Sequence, residues 1–461
     1  MRSLGTFSTS QLRLLHRGKV RDSFRLDSAH RLLVATDRLS AFDRVLDSPI
    51  PGKGAILNLL SAYWFNKTQD VVPNHLVRVV ADRAMVVREV EPIRVEIIVR
   101  AFITGSAWRI YTSGQRVLSG VRLPEGLSKN QRLVEPIVTP TTKDVHDTQI
   151  TPQAISETGL ATEAVYQRME SAALSLFELG SATLLERGLL LVDTKYEFGL
   201  LDGEVVLIDE IHTPDSSRFW ASDDYARDPE NVRSWDKEYV RRWLLEQTSS
   251  DDTPVRLPDD VISETHRRYA DLYERITQTS APSVPQDATA QFVEQLVCEG
   301  LMKDACVTIV MGSPADQDHA ASIAKHLEPF DVAVRFRIAS AHKTPSTVEA
   351  IFQQLDASSE PGAIIAVAGL SNGLGGALAA NTNLPVINCP PFSDRTDMAI
   401  NLASSLMMPS STPAMTVIKP QNAALAAIRS LNVPRLRQLS SEHIQALKET
   451  LQQADHALDK E

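Results

Sequence analysis

The chain has 461 residues, too many for one ordinary hydrophobic core, so two domains, or at most three, are expected. Hydrophobic residues are 43% and charged residues 23%, the balance of a folded globular protein, and no apolar run approaches the roughly 20 residues of a membrane helix. A net charge of -11 without a basic block argues against nucleic acid as the main partner, yet it leaves room for local positive pockets that take small phosphorylated ligands. The stretch MRSLGTFSTSQLRLLHRGKV lacks the apolar centre of a secretory signal, which points to the cytoplasm. Cys298, Cys306 and Cys389 are odd in number and without metal-type spacing, so they read as buried reduced thiols.

In chain order, LRLLHRGKVRDSFRLDSAHRLLVATD reads as three strands joined by turns. At the first turn Gly18 lets backbone approach a phosphate, while Lys19 and Arg21 supply charge. The segment VEIIVRAFITGSAWRIY then ends an apolar strand in Arg100, and Gly105-Ser106 offers amides and a hydroxyl to an anionic substrate. EPIVTPTTKDVHD adds Lys143.

From Leu191 to Trp220, apolar residues alternate with Asp193, Lys195 and Glu197, which therefore project from one face of a strand. Asp202-Gly203 is a hairpin signal. A strict two-residue turn would pair Glu197 with Ile208 and point Asp209 away, whereas a bulge at Gly203 would set Glu197 opposite Asp209. The bulge is expected, because the two carboxylates would then form a hard oxygen site for magnesium with Lys195 beside it for phosphate oxygens, the equipment of an ATP site. Asp215 and Arg218 follow within TPDSSRFW. His16, His30, His75 and His146 belong to no nucleophile constellation and read as surface or structural groups.

After an amphipathic helix over Ser263 to Ile276, TQTSAPSVPQDATAQ loses periodicity and gains Pro, Ser and Thr. This gives a first domain over 1–280, a linker over 281–303 and a second domain over 304–461. From Cys306 onward CVTIVMG, VAVRFRI, AIIAVAG and LPVINC alternate with helical patterns, which predicts a doubly wound parallel sheet. Its loops are chemically loaded. Gly312 and Ser313 open a helix whose amides suit phosphate, Asp316 is placed for ribose hydroxyls, and His342-Lys343 precedes a helix begun by Thr344 and Pro345. The loop GLSNGLGGAL does not give a dinucleotide fingerprint. The polar tail helix packs either on a neighbouring subunit or on its own domain.

The ordered set GKVRD, DRLSAFDR, PGKGAILN, VEIIVRAFITGSAW, EPIVTPTTKD, DTKYEFG and DEIHTPDSSRFW, continued by DKEYVRRWL and LPDDVISETHRRYADLYERIT, resembles SAICAR synthetase (phosphoribosylaminoimidazole-succinocarboxamide synthetase) over residues 10–277. The resemblance implies a two-lobed α+β ATP-binding fold that joins L-aspartate to 4-carboxy-5-aminoimidazole ribonucleotide (CAIR) with ATP and Mg2+. It implies Lys19 and Arg21 at the ATP phosphates, Val87 and Arg88 beside adenine, Lys143 near the nucleotide, Lys195 in a catalytic role, and Glu197 and Asp209 on magnesium. Arg100, Ser106, Asp193, Arg218 and Arg241 would surround CAIR, with Asp215 completing that pocket.

Over residues 306 to about 455, MGS, SAHKTP, AVAGLSNGLGG, NTNLPVINCPP and the tail helix resemble phosphoribosylaminoimidazole carboxylase (AIR carboxylase). This implies a flavodoxin-like sheet, octamers through this domain, and carboxylation of aminoimidazole ribonucleotide (AIR) by CO2 without biotin. His342 would be the acid/base, Ser371, Asn372 and Gly373 would hold CO2 or the carboxylate, and Gly312, Ser313, Asp316, Ser340 and Lys343 would position the nucleotide. Lys343 and SNGLGG resemble the class that uses CO2 directly, while Pro314 and Ala315 replace common hydroxyl residues and leave phosphate contacts to backbone amides. The combined expectation is a bifunctional enzyme of purine biosynthesis catalysing consecutive steps on small molecules, with no nucleic acid or membrane partner. The alternatives are a synthetase whose second domain is only an oligomerisation scaffold or an N5-CAIR mutase, and a kinase-like phosphotransferase acting on a hydroxyl.

Overall fold

Short alternating segments near the start of the chain build an antiparallel sheet from β1 (Arg13–Arg17), β2 (Arg21–Arg25), β3 (His30–Ala35), β4 (Leu76–Ala81) and β5 (Ala84–Arg88), in the order β1-β2-β3-β5-β4. Helix α1 (Lys53–Lys67) is apolar around its circumference, and Ile56, Leu57, Leu60, Trp64 and Phe65 are fully buried in the core. The computed structural model describes residues 3–42, 44–143, 148–246 and 256–458. Two compact units emerge, one formed by Met1–Thr6 with Leu14–Phe292 and the other by Phe7–Arg13 with Val293–Glu461.

The second sheet of the first unit carries the charges. It comprises β6 (Glu91–Phe102), β7 (Arg132–Thr142), β8 (Leu189–Leu201), β9 (Glu204–Ile208) and β10 (Ser217–Ala221), with α2 (Gly105–Thr112) after β6 and α3 (Glu163–Leu185) before β8. The order is β7-β6-β8-β9, and β10 pairs with the first half of β8. Val192, Tyr196 and Phe198 on β8 are fully buried, in the same core as Leu176 and Phe177 of α3. Asp193, Lys195 and Glu197 occupy the alternate face, paired in register with Arg100, Ile98 and Glu96 of β6. Helices α4 (Glu238–Glu246) and α5 (Asp259–Thr277) follow.

The expected bulge at Gly203 is not present. Leu201 pairs with Glu204 and Glu197 pairs with Ile208, the register of a strict two-residue turn. Asp202 and Gly203 both take left-handed backbone angles, φ 54° and 83°, so a turn matching the natural strand twist closes the hairpin without an extra residue. Asp209 is turned by its own left-handed conformation, φ 66°, immediately beyond β9.

The segment read as linker also holds an element. Helix α6 (Ala288–Cys298) starts where the Asp287 carboxylate accepts from the Thr289 and Ala290 amides, and it buries Phe292 and Leu296 one turn apart. The Pro and Ser signal covers only the residues before it.

In the second unit, β11 (Cys306–Met311), β12 (Ala333–Ile338), β13 (Gly362–Val367), β14 (Val386–Asn388) and β15 (Ala414–Thr416) form a wholly parallel sheet in the order β12-β11-β13-β14-β15. That is the flavodoxin-like order, whose ligand crevice opens at the carboxyl ends of β11 and β13. Helices α7 (Gln317–Lys325), α8 (Pro345–Asp356), α9 (Gly373–Asn381), α10 (Arg395–Leu406) and α11 (Pro420–Ser430) connect or follow the strands. In α12 (Pro434–Leu458), Leu436 joins its own unit's core, while Leu447, Leu451 and Leu458 are exposed. Cys306 and Cys389 are buried and free, whereas Cys298 is exposed, contrary to the uniform burial expected.

Residues Phe7–Arg13 act as a strap on this unit. Phe7 is fully buried, and the Ser10 amide, the Ser10 hydroxyl and the Thr9 hydroxyl donate to one oxygen of the buried Glu360 at 2.9, 2.6 and 3.1 Å. Gln11 exchanges two hydrogen bonds with the Lys303 backbone. Ser10, Glu360, Cys306 and Gly362 border one small cavity at the amino ends of β11 and β13. Removing one charge-assisted donor from a buried carboxylate costs about 1.5–3 kcal/mol. Ser10→Ala should therefore lower the stability of the second unit by about 2 kcal/mol, read from denaturant unfolding of the full chain.

Candidate functional site

The polar face of the second sheet lines a cleft of about 600 Å³. Its cations, Lys19, Arg100, Arg109, Lys195, Arg218, Lys237 and Arg241, outnumber its acids, Glu96, Asp193, Glu210, Asp215 and Asp236, so the cleft favours an anionic ligand. Strand pairing sets the central geometry. Arg100 on β6 donates to Asp193 at 3.1 Å and to the Thr139 hydroxyl of β7 at 2.9 Å, and Arg218 of β10 donates to the same Asp193 oxygen at 2.5 Å. One buried carboxylate thus holds two guanidinium groups side by side, the arrangement that grips a carboxylate or phosphate in bidentate fashion. Arg218 and Arg241 also meet Glu238, at 3.7 and 3.5 Å.

Ser106 lies in the first turn of α2, beyond Gly105 at φ 56°. A side chain on Gly105 would overlap the Arg218 guanidinium, so glycine here admits both the turn and the arginine. Ser106 also lines the cleft.

At one end of this face the carboxylates gather. Lys195 donates to Glu96 at 2.6 Å and to Glu197 at 2.8 Å, and Lys143 forms an ion pair with Glu197. Arg21 pairs with Asp209 at 2.7 Å and with Glu210. Burial would raise the Asp209 carboxyl, but Arg21, Lys195 and Lys143 outweigh it and hold it well below the usual carboxylate range. Glu197 and Asp209 thus approach a common set of cations even though they are not cross-strand partners. Among the described residues no three His, Cys, Asp or Glu side chains converge as metal ligands. The two carboxylates fit Mg2+, a hard ion that commonly takes one or two protein carboxylates and completes its shell with phosphate oxygens and water.

Val87 is buried in β5 opposite Arg31, and Arg88 donates to the Asn74 carbonyl. Buried His75 lies in the field of Asp209, Arg21 and Arg88, and desolvation pulls its imidazole down to about 3, so it is neutral. Exposed His30 is hydrogen-bonded to Asp27, and His146 lies outside the described residues.

The sequence reading missed the support beneath Asp215. Lys53, fully buried at the start of α1, donates to Asp215 at 2.7 Å, and the Tyr269 hydroxyl of α5 donates at 2.8 Å. Burial would raise the Asp215 carboxyl, but Lys53, Lys237 and Tyr269 bring it down to about 2. It also missed Lys237, whose ammonium is pulled down to about 8 by burial against the attraction of Asp215. The clues were present only as charges in PGKGAILN and DKEYVRRWL.

In the second unit three loops stand at the carboxyl ends of the strands. After β11 the Ser313 hydroxyl accepts from the Ala315 amide, and Asp316 accepts from the Ser313 amide at 2.9 Å, closing a capping box. After β12 the Ser340 hydroxyl accepts from the Lys343 amide, and the Ser340 carbonyl accepts from the Thr344 amide, leaving His342 and Lys343 at the exposed apex. After β13 the Asn372 side chain caps α9. The apex and the third loop meet, because a side-chain carbon on Gly373 would stand 2.9 Å from His342 Cε1 and 3.1 Å from Nε2. Only a glycine admits the ring at that distance.

Residues 14–256 match the family described as SAICAR synthetase. The chain belongs to that family. Residues 306–454 match the family described as AIR carboxylase. A phosphoribosylaminoimidazole-succinocarboxamide synthase of Saccharopolyspora erythraea is 43% identical over 289 residues, 59% of this chain and 96% of that protein. One of Legionella pneumophila (strain Lens) is 42% identical over 279 residues, 58% of this chain and 88% of that protein. A solved SAICAR synthase from Saccharomyces cerevisiae complexed with SAICAR is 34% identical with a TM-score of 0.55, covering 60% of this chain and 99% of its own. As a SAICAR synthetase the protein is a ligase of purine biosynthesis, carrying an AIR carboxylase-family domain behind it.

Two outcomes test the synthetase cleft. Gly105→Ala meets both a positive φ and the Arg218 guanidinium, so it should destabilise the first unit by more than about 1 kcal/mol in chemical denaturation. Lys237 binds its proton less tightly when folded, about 8 against an ordinary 10.5. The unfolded state therefore holds more protons between those values, and this contribution to stability rises with pH across the window and is lost as pH falls through about 8. Wild type should gain stability relative to Lys237→Gln as pH is raised from about 8 to 10.5.

Proposed function

We propose that the protein catalyses two consecutive steps, carboxylation of AIR by CO2 to CAIR in the second unit and ATP-dependent ligation of L-aspartate to CAIR in the first. The observation that carries the ligation is Asp193 holding Arg100 and Arg218 side by side on the strand face that also carries Glu197, which shares Lys195 and Lys143 with Asp209. A carboxylate-bearing ribonucleotide would lie against Arg100, Arg218, Arg241 and Ser106, with Asp215 at its edge. Lys19, Arg21 and Lys143 would serve the nucleotide phosphates, and Val87 and Arg88 its base. In this reading Arg21 leaves its carboxylate partners or keeps them positioned beside the phosphates.

The chemistry follows from the poor leaving group of a carboxylate. The CAIR carboxylate oxygen attacks the terminal phosphoryl group of ATP and releases ADP. The aspartate amine then attacks the activated carbonyl carbon, forms the amide and expels phosphate, with one amine proton lost to solvent or a base. Lys195 stabilises the charge on the transferred group. Magnesium, when bound by Glu197 and Asp209, supplies further neutralisation of phosphate charge.

In the second unit the enamine-like ring carbon of AIR attacks CO2, forming a carbon–carbon bond, and the same carbon then surrenders its proton to His342. The contact between His342 and Gly373 supports this reading, because it sets the base beside Ser371, Asn372 and Gly373, the groups that would hold the new carboxylate. Ser340 and Lys343, with the Ser313 hydroxyl and the Asp316 carboxylate, would position the nucleotide, since the Gly312 amide already donates to the Val367 carbonyl and the Ser313 amide to Asp316. Octamer assembly through this unit belongs to the same reading, and exposed Ile400, Leu406 and Met407 are groups such an interface would cover.

The test is a coupled assay with AIR, bicarbonate, magnesium ATP and aspartate, omitting each in turn. SAICAR should require all of them. His342→Ala should lose carboxylation by at least about 100-fold while still converting supplied CAIR, and Glu197→Gln should show the reverse. Product formed only from supplied CAIR would leave the ligase standing and remove the carboxylase.

A further inference from the structure

The third loop of the second unit is held in a strained shape by buried side chains of α10 that the reading above does not use. Leu370, immediately before Ser371, sits at φ 57°, a left-handed conformation that a branched aliphatic residue rarely adopts, and its side chain is 73% exposed. Neither hydrophobic burial nor glycine's freedom accounts for that conformation. The backbone amide that it presents does. It donates to the side-chain oxygen of Asn401 at 2.6 Å.

Asn401 lies in α10, is 3% exposed, and spends every polar atom of its side chain. Its amide nitrogen donates to the Pro391 carbonyl at 2.7 Å and to Asp397 at 3.0 Å. Pro391 belongs to the loop after β14, so one side chain fastens the third and fourth ligand-end loops to each other. The next turn of the same helix continues the attachment. The Ser404 hydroxyl accepts from the Asn372 amide at 2.8 Å, and the Ser405 hydroxyl accepts from the Asn372 side chain at 2.9 Å. Positions 401, 404 and 405 share one helix face, so α10 forms a rigid template against which residues 370–372 are cast.

We infer that Asn401 is a positioning residue of the carboxylase site, holding Leu370 in its left-handed state so that Ser371 and Gly373 face His342. The inference rests on the proposed AIR carboxylation. It assigns a purpose to the strain, since a relaxed Leu370 would turn the following residues away from the histidine and leave CO2 without its cradle.

The experiment uses the full chain and compares wild type, Asn401→Ala, Leu370→Gly and the double variant. Carboxylation of AIR and ligation from supplied CAIR are measured separately, with hydrogen exchange over 369–373. Asn401→Ala should lower kcat for carboxylation by about 10- to 100-fold with little change in the KM for AIR, speed exchange at the loop, and leave ligation intact. Leu370→Gly removes the backbone strain, so it should be near wild type alone and should restore part of the activity in the double variant. Unchanged carboxylation or unchanged loop exchange in Asn401→Ala would overturn the inference, as would a loss that Leu370→Gly does not relieve. A wild type that does not carboxylate AIR at all would instead overturn the reading beneath it, so the two failures are distinct.

Discussion

The first unit depends on one buried carboxylate. Asp193 is 5% exposed and is shared by Arg100 and Arg218, so its desolvation is offset only while both guanidinium groups stay in place. The three residues come from β6, β8 and β10, and their pairing therefore fixes the register of three strands at once. A slip of one residue on β8 would drive Asp193, Lys195 and Glu197 into the core and expel Tyr196 and Phe198. The guanidinium groups that suit the cleft to an anionic ligand are thus the same groups whose pairing with Asp193 fixes the sheet.

The two units build their candidate ligand sites by different physics. In the antiparallel unit one sheet face is apolar and the other is free to carry charge, so functional groups alternate along strands and arrive in register. In the parallel sheet the central strands β11 and β13 are buried along nearly their whole length, which leaves no face there for chemistry. Functional groups there are confined to loops, and loops need fastening. The capping box at Ser313, the Ser340 turn and the attachment of Asn372 to α10 are three solutions to that need.

These differences decide what could be read in the chain itself. The alternation in LVDTKYEFG was legible because strand geometry converts spacing directly into facing, and the doubly wound parallel sheet of the second unit followed from repeated strand and helix patterns. The nearness of Asp209 to the charges around Glu197 is legible, but the turn that brings it there is not, since Asp202-Gly203 is equally compatible with a strict turn and a bulged one until the dihedral angles are known. Lys53, Asp215 and Tyr269 were illegible as a group, because each comes from a distant part of the chain and leaves no local pattern. Strand β15 is not legible in the sequence, because its three residues lie in a proline-bounded stretch too short to show a period. Helix α6 was hidden by the breaker residues in front of it.

The strap at Phe7–Arg13 has a consequence for the order in which the protein is made. Ser10 and its partner Glu360 are 350 residues apart in the chain. At about 5–20 residues per second, the ribosome delivers Glu360 roughly 20–70 seconds after Ser10, long after the antiparallel sheets have had time to form. The Thr9 and Ser10 hydroxyls therefore reach their Glu360 partner only after the strands of the parallel sheet have been made. Such a long-range contact is slow to close, so the parallel sheet gains this anchor only late in folding.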